Sequence, residues 1–226
     1  MDTSLIRARA RENLRNNWGL SLGVALLAAL FGALHTSANV DINLQLEEYI
    51  DLPPRIAALM FSLASFAGTL NLLHLILGGT VQLGYTRYLL NQHDGQELDV
   101  KLLFSQFDRF SQGFLQALLR SIFIALWSLL LVIPGIVKSY SYAMTPFIMI
   151  DHPEMDARTA IKASMELMDG HKFDLFVLEL TFIGWALLNV LTLGIGSLWL
   201  NPYMNAARAA FYRQIQAEQR YTTVEF

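Results

Sequence analysis

The chain has 226 residues, of which 54% are hydrophobic and only 15% are charged, and its mean hydropathy is +0.39. A soluble domain carries about 25% charged residues, so this composition favours a protein surrounded largely by lipid. The net charge of -3 and the pI near 5.9 argue against a nucleic-acid-binding protein. The absence of Cys excludes disulfides, thiolate metal sites and Cys nucleophiles.

Apolar runs along the chain predict a single all-α integral-membrane domain, 1-226, built as a polytopic helical bundle of about six spans. The first run, 18-38, has no charged residue and follows a basic segment that we interpret as part of an uncleaved anchor. At about 1.5 Å per residue it is long enough to cross a hydrocarbon layer of about 30 Å. The six predicted spans are 18-38, 56-86, 114-133, 136-150, 173-193 and 197-212.

The segment 114-150 has two interpretations, because Pro134-Gly135 lies near its centre. In one, 114-133 is a span and the rest is an exported loop. In the other, Pro134-Gly135 is a tight outer turn and 136-150 returns as a short fourth span, since Pro disrupts a helix interior and Gly permits positive φ. The apolar character of 140-150 favours the return.

The basic residues test this topology, because Lys and Arg accumulate on the cytoplasmic side of membrane proteins. With both termini inside, 14 of the 16 basic residues fall on the cytoplasmic side when Arg120 and Arg208 are counted with the cytoplasmic segments that adjoin their spans, and only Arg55 and Lys138 fall outside. A four-span topology would export Arg158, Lys162 and Lys172. The charge distribution therefore predicts six spans, with an acidic outer loop at 39-55.

Short amphipathic helices precede the odd-numbered spans. Ser4, Asp99 and Asp156 are the predicted N-caps, and Gly170 is the predicted end of the third helix. Such helices either lie in the headgroup plane or pack on the inner ends of the spans as structural collars. Both interpretations are open at this stage.

Several short motifs together resemble a known family. They are Asn17-Trp18, Ile133–Lys138 followed by Tyr140–Tyr142, Asp151–Pro153, Ser164–Lys172, Phe182–Trp185, Asn201–Tyr203 and Ala210–Tyr212. Over nearly the whole chain they resemble the bacterial integral-membrane family catalogued as domain of unknown function 975, which is related to the membrane domain of some glycerophosphodiester phosphodiesterases. The resemblance implies a multi-pass protein of the bacterial cytoplasmic (inner) membrane. It implies no biochemical role, since the soluble phosphodiesterase domain and its metal site have no counterpart here.

Ionisable residues inside the spans are the first functional candidates, because a charge at the membrane centre costs about 2.5–3.5 kcal/mol on insertion scales. Glu179 lies roughly 9 Å into span five, and Arg208 lies at a similar depth in the antiparallel span six. We predict that they pair, with Arg120 as the other candidate partner. A structural bridge between helices is the main interpretation, and a proton- or ligand-coupled role is the alternative.

Asn71 and His74 share a helix face in span two, where hydrogen bonding between helices is favoured over ligand binding. The remaining His residues lack metal-ligand spacing, and the glycines match no phosphate or dinucleotide motif, so no metal and no cofactor is predicted. Trp127 and Trp185, which lie in mid-span, are interpreted as packing residues.

Three functions fit the sequence. The first is a non-enzymatic membrane module that binds lipid, a peptide or a membrane-protein partner, including a second copy of itself; nucleic acid is not a predicted partner. The second is a small transporter that uses Glu179 and Arg208, which a water-accessible polar cavity reaching Glu179 would favour. The third is an enzyme acting on lipid headgroups, which a cluster of the inner-loop residues around metal would favour; they are Asp151, His152, Glu154, His171 and Lys172.

Overall fold

A computed structural model describes residues 2–15, 17–33, 53–192 and 194–224 of the chain. In these ranges all regular structure is helical, which confirms the all-α prediction. The α-helices are α1 Thr3–Arg15, α2 Trp18–Leu30, α3 Pro54–His93, α4 Phe110–Leu130, α5 Val132–Ser141, α6 Thr145–Asp151, α7 Ala157–Leu167, α8 Lys172–Leu180, α9 Ile183–Leu191 and α10 Ser197–Val224. Two short 3-10 segments, Val100–Phe104 and Phe107–Arg109, connect α3 to α4.

The first amphipathic helix packs on other helices as a collar, and the placement of these helices in the headgroup plane stays a prediction. Helix α1 buries Ile6, Ala10 and Leu14 on one face and packs along α10. Its N-terminal cap is Asp2, which accepts hydrogen bonds from the amide and hydroxyl of Ser4, so the prediction of Ser4 as the cap was wrong. Because α1 begins at Thr3, Ser4 lies inside the first turn and Asp2 occupies the cap position.

The other two predicted caps are present. Asp99 accepts a hydrogen bond from the Lys101 amide, although the segment that it begins is a 3-10 helix. Asp156 accepts from the Thr159 amide at the start of α7, and Gly170 follows the end of α7 with a φ of 82°. These local signals were readable because a cap needs only residues within a few positions of it.

The first two predicted spans differ from the helices in length. Helix α2 ends at Leu30, where Gly32 turns with a φ of 72°, and 34–52, which includes the end of span one and most of the acidic loop, lies outside the described residues. Helix α3 is longer than the predicted 56-86, with 40 residues from Pro54, whose missing amide hydrogen suits the first turn of a helix.

The hairpin formed by α4 and α5 turns at Leu131, which has the extended backbone angles φ -160° and ψ 141°. The predicted turn at Pro134-Gly135 was therefore wrong. Pro134 lies in the first turn of α5, where its missing amide hydrogen leaves no helical hydrogen bond unmade. Gly135 permits the close approach of the two helices, since a Cβ there would lie 2.8 Å from the Cα of Ser128.

The last three predicted spans are also organised differently. The segment 136-150 is not one helix, because the turn 142–144 separates α5 from α6. The segment 173-193 breaks at Thr181-Phe182 between α8 and α9. After the predicted turn at Gly194, which has a φ of 90°, α10 runs through Pro202 and continues well beyond residue 212.

Large apolar side chains are exposed around the chain reversals. In the α4–α5 hairpin, Leu129 is 86% and Ile133 is 75% exposed, and Leu191 at the end of α9 is 79% exposed. Trp185 is 53% exposed, so its prediction as a packing residue was wrong, whereas Trp127 is 39% exposed and its ring packs against Lys138. By length and composition, one helical stretch among the described residues, Val100–Leu130, could cross a membrane. The six-span bundle thus stays a prediction.

We expect Gly84→Ala to lower the free energy of unfolding by about 1–3 kcal/mol, because overpacking in a well-packed core costs this much. Gly84 faces the 3-10 segment, and an added Cβ would lie 2.5 Å from the carbonyl carbon of Leu103. Gly23→Ala in α2 is the matched control, since no atom outside its own helix backbone lies within 4 Å of the added Cβ. It should raise stability by about 0.5–1 kcal/mol. Thermal unfolding in detergent measures both, and equal shifts would contradict this packing.

We also expect stability to fall with acidification through His93. Burial lowers the pKa of His93, with Arg213 and Arg9 adding to the effect and Asp94 opposing it. The ring is neutral where its Nδ1 accepts from Nδ2 of Asn13 at 3.2 Å. Because the pKa of His93 is lower in the folded state, the stability that His93 contributes is present above the unfolded pKa of about 6.5. This stability is lost as the pH falls below that value.

Melting temperatures of the wild type and His93→Gln, compared between pH 8 and pH 5, test this expectation. The wild type should lose more stability than the variant across this interval. Parallel curves would show that His93 has no part in the acid response.

Candidate functional site

Glu179 binds two neighbouring helices in the structure. Its Oε1 accepts from Nε and Nη2 of Arg208 in α10, at 3.0 and 2.7 Å, and its Oε2 accepts from the hydroxyl of Tyr140 in α5 at 2.9 Å. The Glu179 side chain is 24% exposed and that of Arg208 is 39% exposed. The contact expected between Glu179 and Arg208 is thus present, and both carboxylate oxygens have donors.

The end of α8 positions Glu179. Helix α8 stops at Leu180, and the amide of Phe182 bonds to the carbonyl of Glu179 at 3.0 Å, which closes the last turn. Phe182 then packs edge-on against Tyr203 of α10 at a ring distance of 5.0 Å. Glu179 thus lies in the last turn of α8, directly before the break in the predicted span five, and faces α10 there.

A cavity of about 260 Å³ lies beside this ion pair. Its polar lining comes from α3, α5, α8 and α10, and an apolar wall that includes Leu89 and Phe147 completes it. The polar side chains are Gln82, Tyr85, Thr86, Ser139, Tyr140, Glu179, Asn205 and Arg208. Glu179 and Arg208 are thus accessible from the cavity while they remain paired with each other.

Arg120, the other candidate partner of Glu179, has a different neighbour. Its Nη2 donates to Oε1 of Gln82 at 3.0 Å, and the residue is 9% exposed. Within the described ranges, no carboxylate forms an ion pair with Arg120. Gln116 lies against the same Gln82 oxygen and is fully buried, so α3 and α4 share a buried polar cluster.

His74 makes the kind of helix-to-helix hydrogen bond that its position predicted. Its Nε2 lies 2.8 Å from the carbonyl oxygen of Leu30, near the end of α2. A carbonyl only accepts, so Nε2 carries the proton, and His74 satisfies one of the free carbonyls at the helix end. The side chain of Asn71 lies outside what the structure describes.

A second polar cluster, which the sequence analysis missed, lies at the ends of α3 and α6. Arg213 donates from Nη2 and Nε to Asp94 at 2.6 and 3.0 Å, and from Nη1 to Asp151. Tyr212 and Gln216 also donate to Asp151, at 2.9 and 3.1 Å. Burial lowers the pKa of Arg213, but its hydrogen bonds to both carboxylates outweigh burial and leave the pKa raised. No local motif could have shown this cluster, because its members lie far apart in the chain.

The inner-loop residues considered for headgroup chemistry have separate partners. Asp151 binds Arg213, and His152 pairs with Glu154 at 3.3 Å. His171 and Lys172 pair with Asp174 and Asp169, respectively, both at 3.4 Å. The described residues contain no group of three His, Asp or Glu side chains that could hold a metal ion.

Comparison with known proteins gives one match. Residues 128–219 match the family model described as "Protein of unknown function (DUF975)", which supports the resemblance to that family. The matched range includes Tyr140, Glu179 and Arg208 and excludes Gln82 and Arg120. The relation to glycerophosphodiester phosphodiesterases stays a prediction. No curated protein and no solved structure matches the chain.

A double-mutant cycle of Glu179→Gln and Arg208→Gln should give a coupling energy of about 1–2 kcal/mol, within the usual range for contacting residues. The partial exposure of Arg208 keeps this value below that of a fully buried pair. Tyr140→Phe removes one hydrogen bond to the same carboxylate and should cost about 1 kcal/mol. Thermal or denaturant unfolding in detergent measures each variant.

The matched control is the Asp169–Lys172 pair at the start of α8, where the Asp169 side chain is 84% exposed. Its cycle should give a coupling near zero, because exposed pairs contribute little. Equal coupling in the two cycles would contradict a stabilising role for the Glu179 contact.

Proposed function

We propose that this protein is a non-enzymatic, multi-pass module of the bacterial inner membrane, with both termini in the cytoplasm, that binds a ligand in the cavity beside Glu179. The ligand classes that fit a membrane module are a lipid, a small peptide or a segment of a membrane-protein partner. The exposure of apolar side chains at the chain reversals carries the membrane part of the proposal.

The helix directions support this placement. Arg213 joins α10 to the ends of α3 and α6, so these ends lie together at one level of the bundle. Tyr140, Glu179 and Arg208 meet at a second level, nearer to the start of α10. From this second level, α10 continues back to its start near Gly194, and α5 continues back to its start after Leu131. Both chain reversals therefore lie beyond the Glu179 level, on the side away from Arg213. Exposed leucines and tryptophans near these reversals suit a hydrocarbon environment and would be unfavourable in water.

Lys138 is consistent with this arrangement despite its charge. It lies in α5 near the apolar reversal, and its Nζ is 5.0 Å from the ring centre of Trp127. A cation over an aromatic face is stabilised by the ring, and a long Lys stem reaches toward an interface. Lys138 therefore does not prevent the α4–α5 hairpin from entering lipid.

A small transporter is the second candidate, and the cavity is the observation that favours it. The cavity reaches both Glu179 and Arg208, and ionisable side chains within predicted spans mark transport pathways when they line a polar cavity. The module is preferred because both oxygens of Glu179 already accept hydrogen bonds, which suits a fixed structural pair better than a carboxylate that exchanges protons or ions.

The native chain has no Cys, so single substitutions test the topology directly. We expect Ile195→Cys to react with a membrane-impermeant maleimide in intact spheroplasts, and Lys162→Cys to react only after lysis. Both positions are exposed in the structure, so protection reports the membrane and not the fold. The unsubstituted protein is the labelling control.

Two results would contradict the proposal. The first is labelling of Lys162→Cys from outside the cell, which would reverse the predicted orientation. The second is release of the protein from membranes by alkaline carbonate, which would show that the apolar reversals do not insert in the bilayer.

A further inference from the structure

Several side chains around the cavity beside Glu179 can donate hydrogen bonds to a ligand, and the side-chain oxygen of Asn205 can accept one. Arg208 uses Nε and Nη2 on Glu179, so its Nη1 group remains available. Arg120 can only donate, so the Gln82 atom that faces it must be the oxygen, which leaves the Gln82 amide nitrogen available. Among the described residues, Glu179 is the one carboxylate that lines the cavity, and it already accepts from Arg208 and Tyr140.

Tyr85 adds a donor with no partner. The residue is 3% exposed and lines the cavity, and its hydroxyl oxygen is fully buried and forms no hydrogen bond with any described residue. An unmade hydrogen bond at a buried polar group costs about 1–3 kcal/mol. The hydroxyls of Thr86 and Ser139, in contrast, donate to carbonyls of their own helices. Tyr85 thus lines the cavity and carries a buried hydroxyl whose hydrogen bond is unmade among the described residues.

The charges near the cavity also lack balance. Arg208 is neutralised by Glu179, whereas Arg120 binds only the neutral Gln82 and has no carboxylate partner among the described residues. Arg120 does not line the cavity, but it adjoins the cavity through Gln82. In a medium of low dielectric, a buried charge interacts strongly with nearby charges and is costly without a counterion. An anion in the cavity would supply the missing negative charge.

We propose that this cavity binds an anionic group, a phosphate or a carboxylate, through the Tyr85 hydroxyl, the Gln82 amide and Arg208, with Arg120 as the positioning residue that supplies the compensating charge. The proposal rests on the proposed function and names its ligand class. The cavity volume of about 260 Å³ is smaller than that of pockets for drug-sized ligands, which is about 300–1,000 Å³. The ligand is therefore a small anion or an anionic lipid headgroup whose acyl chains remain outside the cavity.

The probes are inorganic phosphate, added to the protein in a neutral detergent, and nanodiscs of phosphatidylcholine with or without phosphatidylglycerol. Binding is measured as a rise in melting temperature and, for phosphate, by calorimetric titration. Stabilisation by phosphate identifies a free anion as a ligand. Stabilisation only by phosphatidylglycerol identifies the lipid headgroup, and either result supports the proposal.

Tyr85→Phe is the decisive variant, because it removes a hydroxyl that bonds to no described residue and should leave the stability of the ligand-free protein unchanged or slightly increased. It should weaken anion binding about tenfold, which corresponds to about 1.4 kcal/mol. Tyr88→Phe is its matched control in the same helix. The Tyr88 hydroxyl bonds to Ser21 at 2.9 Å and does not line the cavity, so this control should lower stability without changing anion affinity.

Arg120→Gln and Arg120→Lys separate charge from shape. The Gln variant should weaken binding by more than tenfold, and the Lys variant, which keeps the charge, should recover most of the loss. Arg87→Gln controls for the loss of one positive charge, since Arg87 is an exposed residue of α3 outside this cavity. It should leave the affinity unchanged.

The proposal is overturned if neither probe stabilises the protein, or if Tyr85→Phe and Arg120→Gln bind the anion as tightly as the wild type. Such a result, with the expected Cys labelling, would leave the membrane module in place and remove only its anionic ligand. If the Cys labelling failed while anion binding stayed intact, the anion site would remain and the proposed membrane topology would be removed.

Discussion

The Glu179 carboxylate connects three helices that the chain itself leaves loosely joined. Helix α8 has nine residues and breaks directly after Glu179, and α5 has ten residues between two turns. Helices this short are marginal by themselves, so their stability comes from tertiary contacts. The hydrogen bonds from Arg208 and Tyr140 to one carboxylate join α5, α8 and α10 at one level, and the cavity lies beside this contact.

Helix α10 is the element on which both polar clusters depend. Arg208 and Arg213 are five residues apart, which places them about 140° apart around the helix. One therefore faces α8 and the other faces the ends of α3 and α6. The collar helix α1 packs along α10 as well, with Arg7 over the ring of Phe182 at 5.4 Å. Movement of α10 would disturb both clusters and the collar together.

Depth along a helix could be predicted from the sequence, and contacts between distant segments could not. Glu179 and Arg208 were predicted to meet because antiparallel helices place equal distances from a turn at equal heights, and Gly194 marks that turn. Tyr140 is 39 residues from Glu179, and nothing local shows that its hydroxyl reaches the carboxylate. The break at Leu131 was missed because Pro134 is the stronger local signal, although a Pro fits the first turn of a helix without breaking it.

The buried polar groups around Gln82 are difficult to explain by stability alone. Replacing buried charges by apolar side chains of similar size is often neutral or stabilising, so a core selected only for stability gains little from Arg120. The Tyr85 hydroxyl and the Gln116 side-chain oxygen are also buried without a hydrogen bond in the described part of the chain. Buried polar groups without hydrogen bonds are concentrated at sites where a ligand or a mechanism uses them. An anion beside Gln82 and Tyr85 would relieve both the unmatched charge and the unmade hydrogen bond of Tyr85, which accounts for two costs with a single ligand.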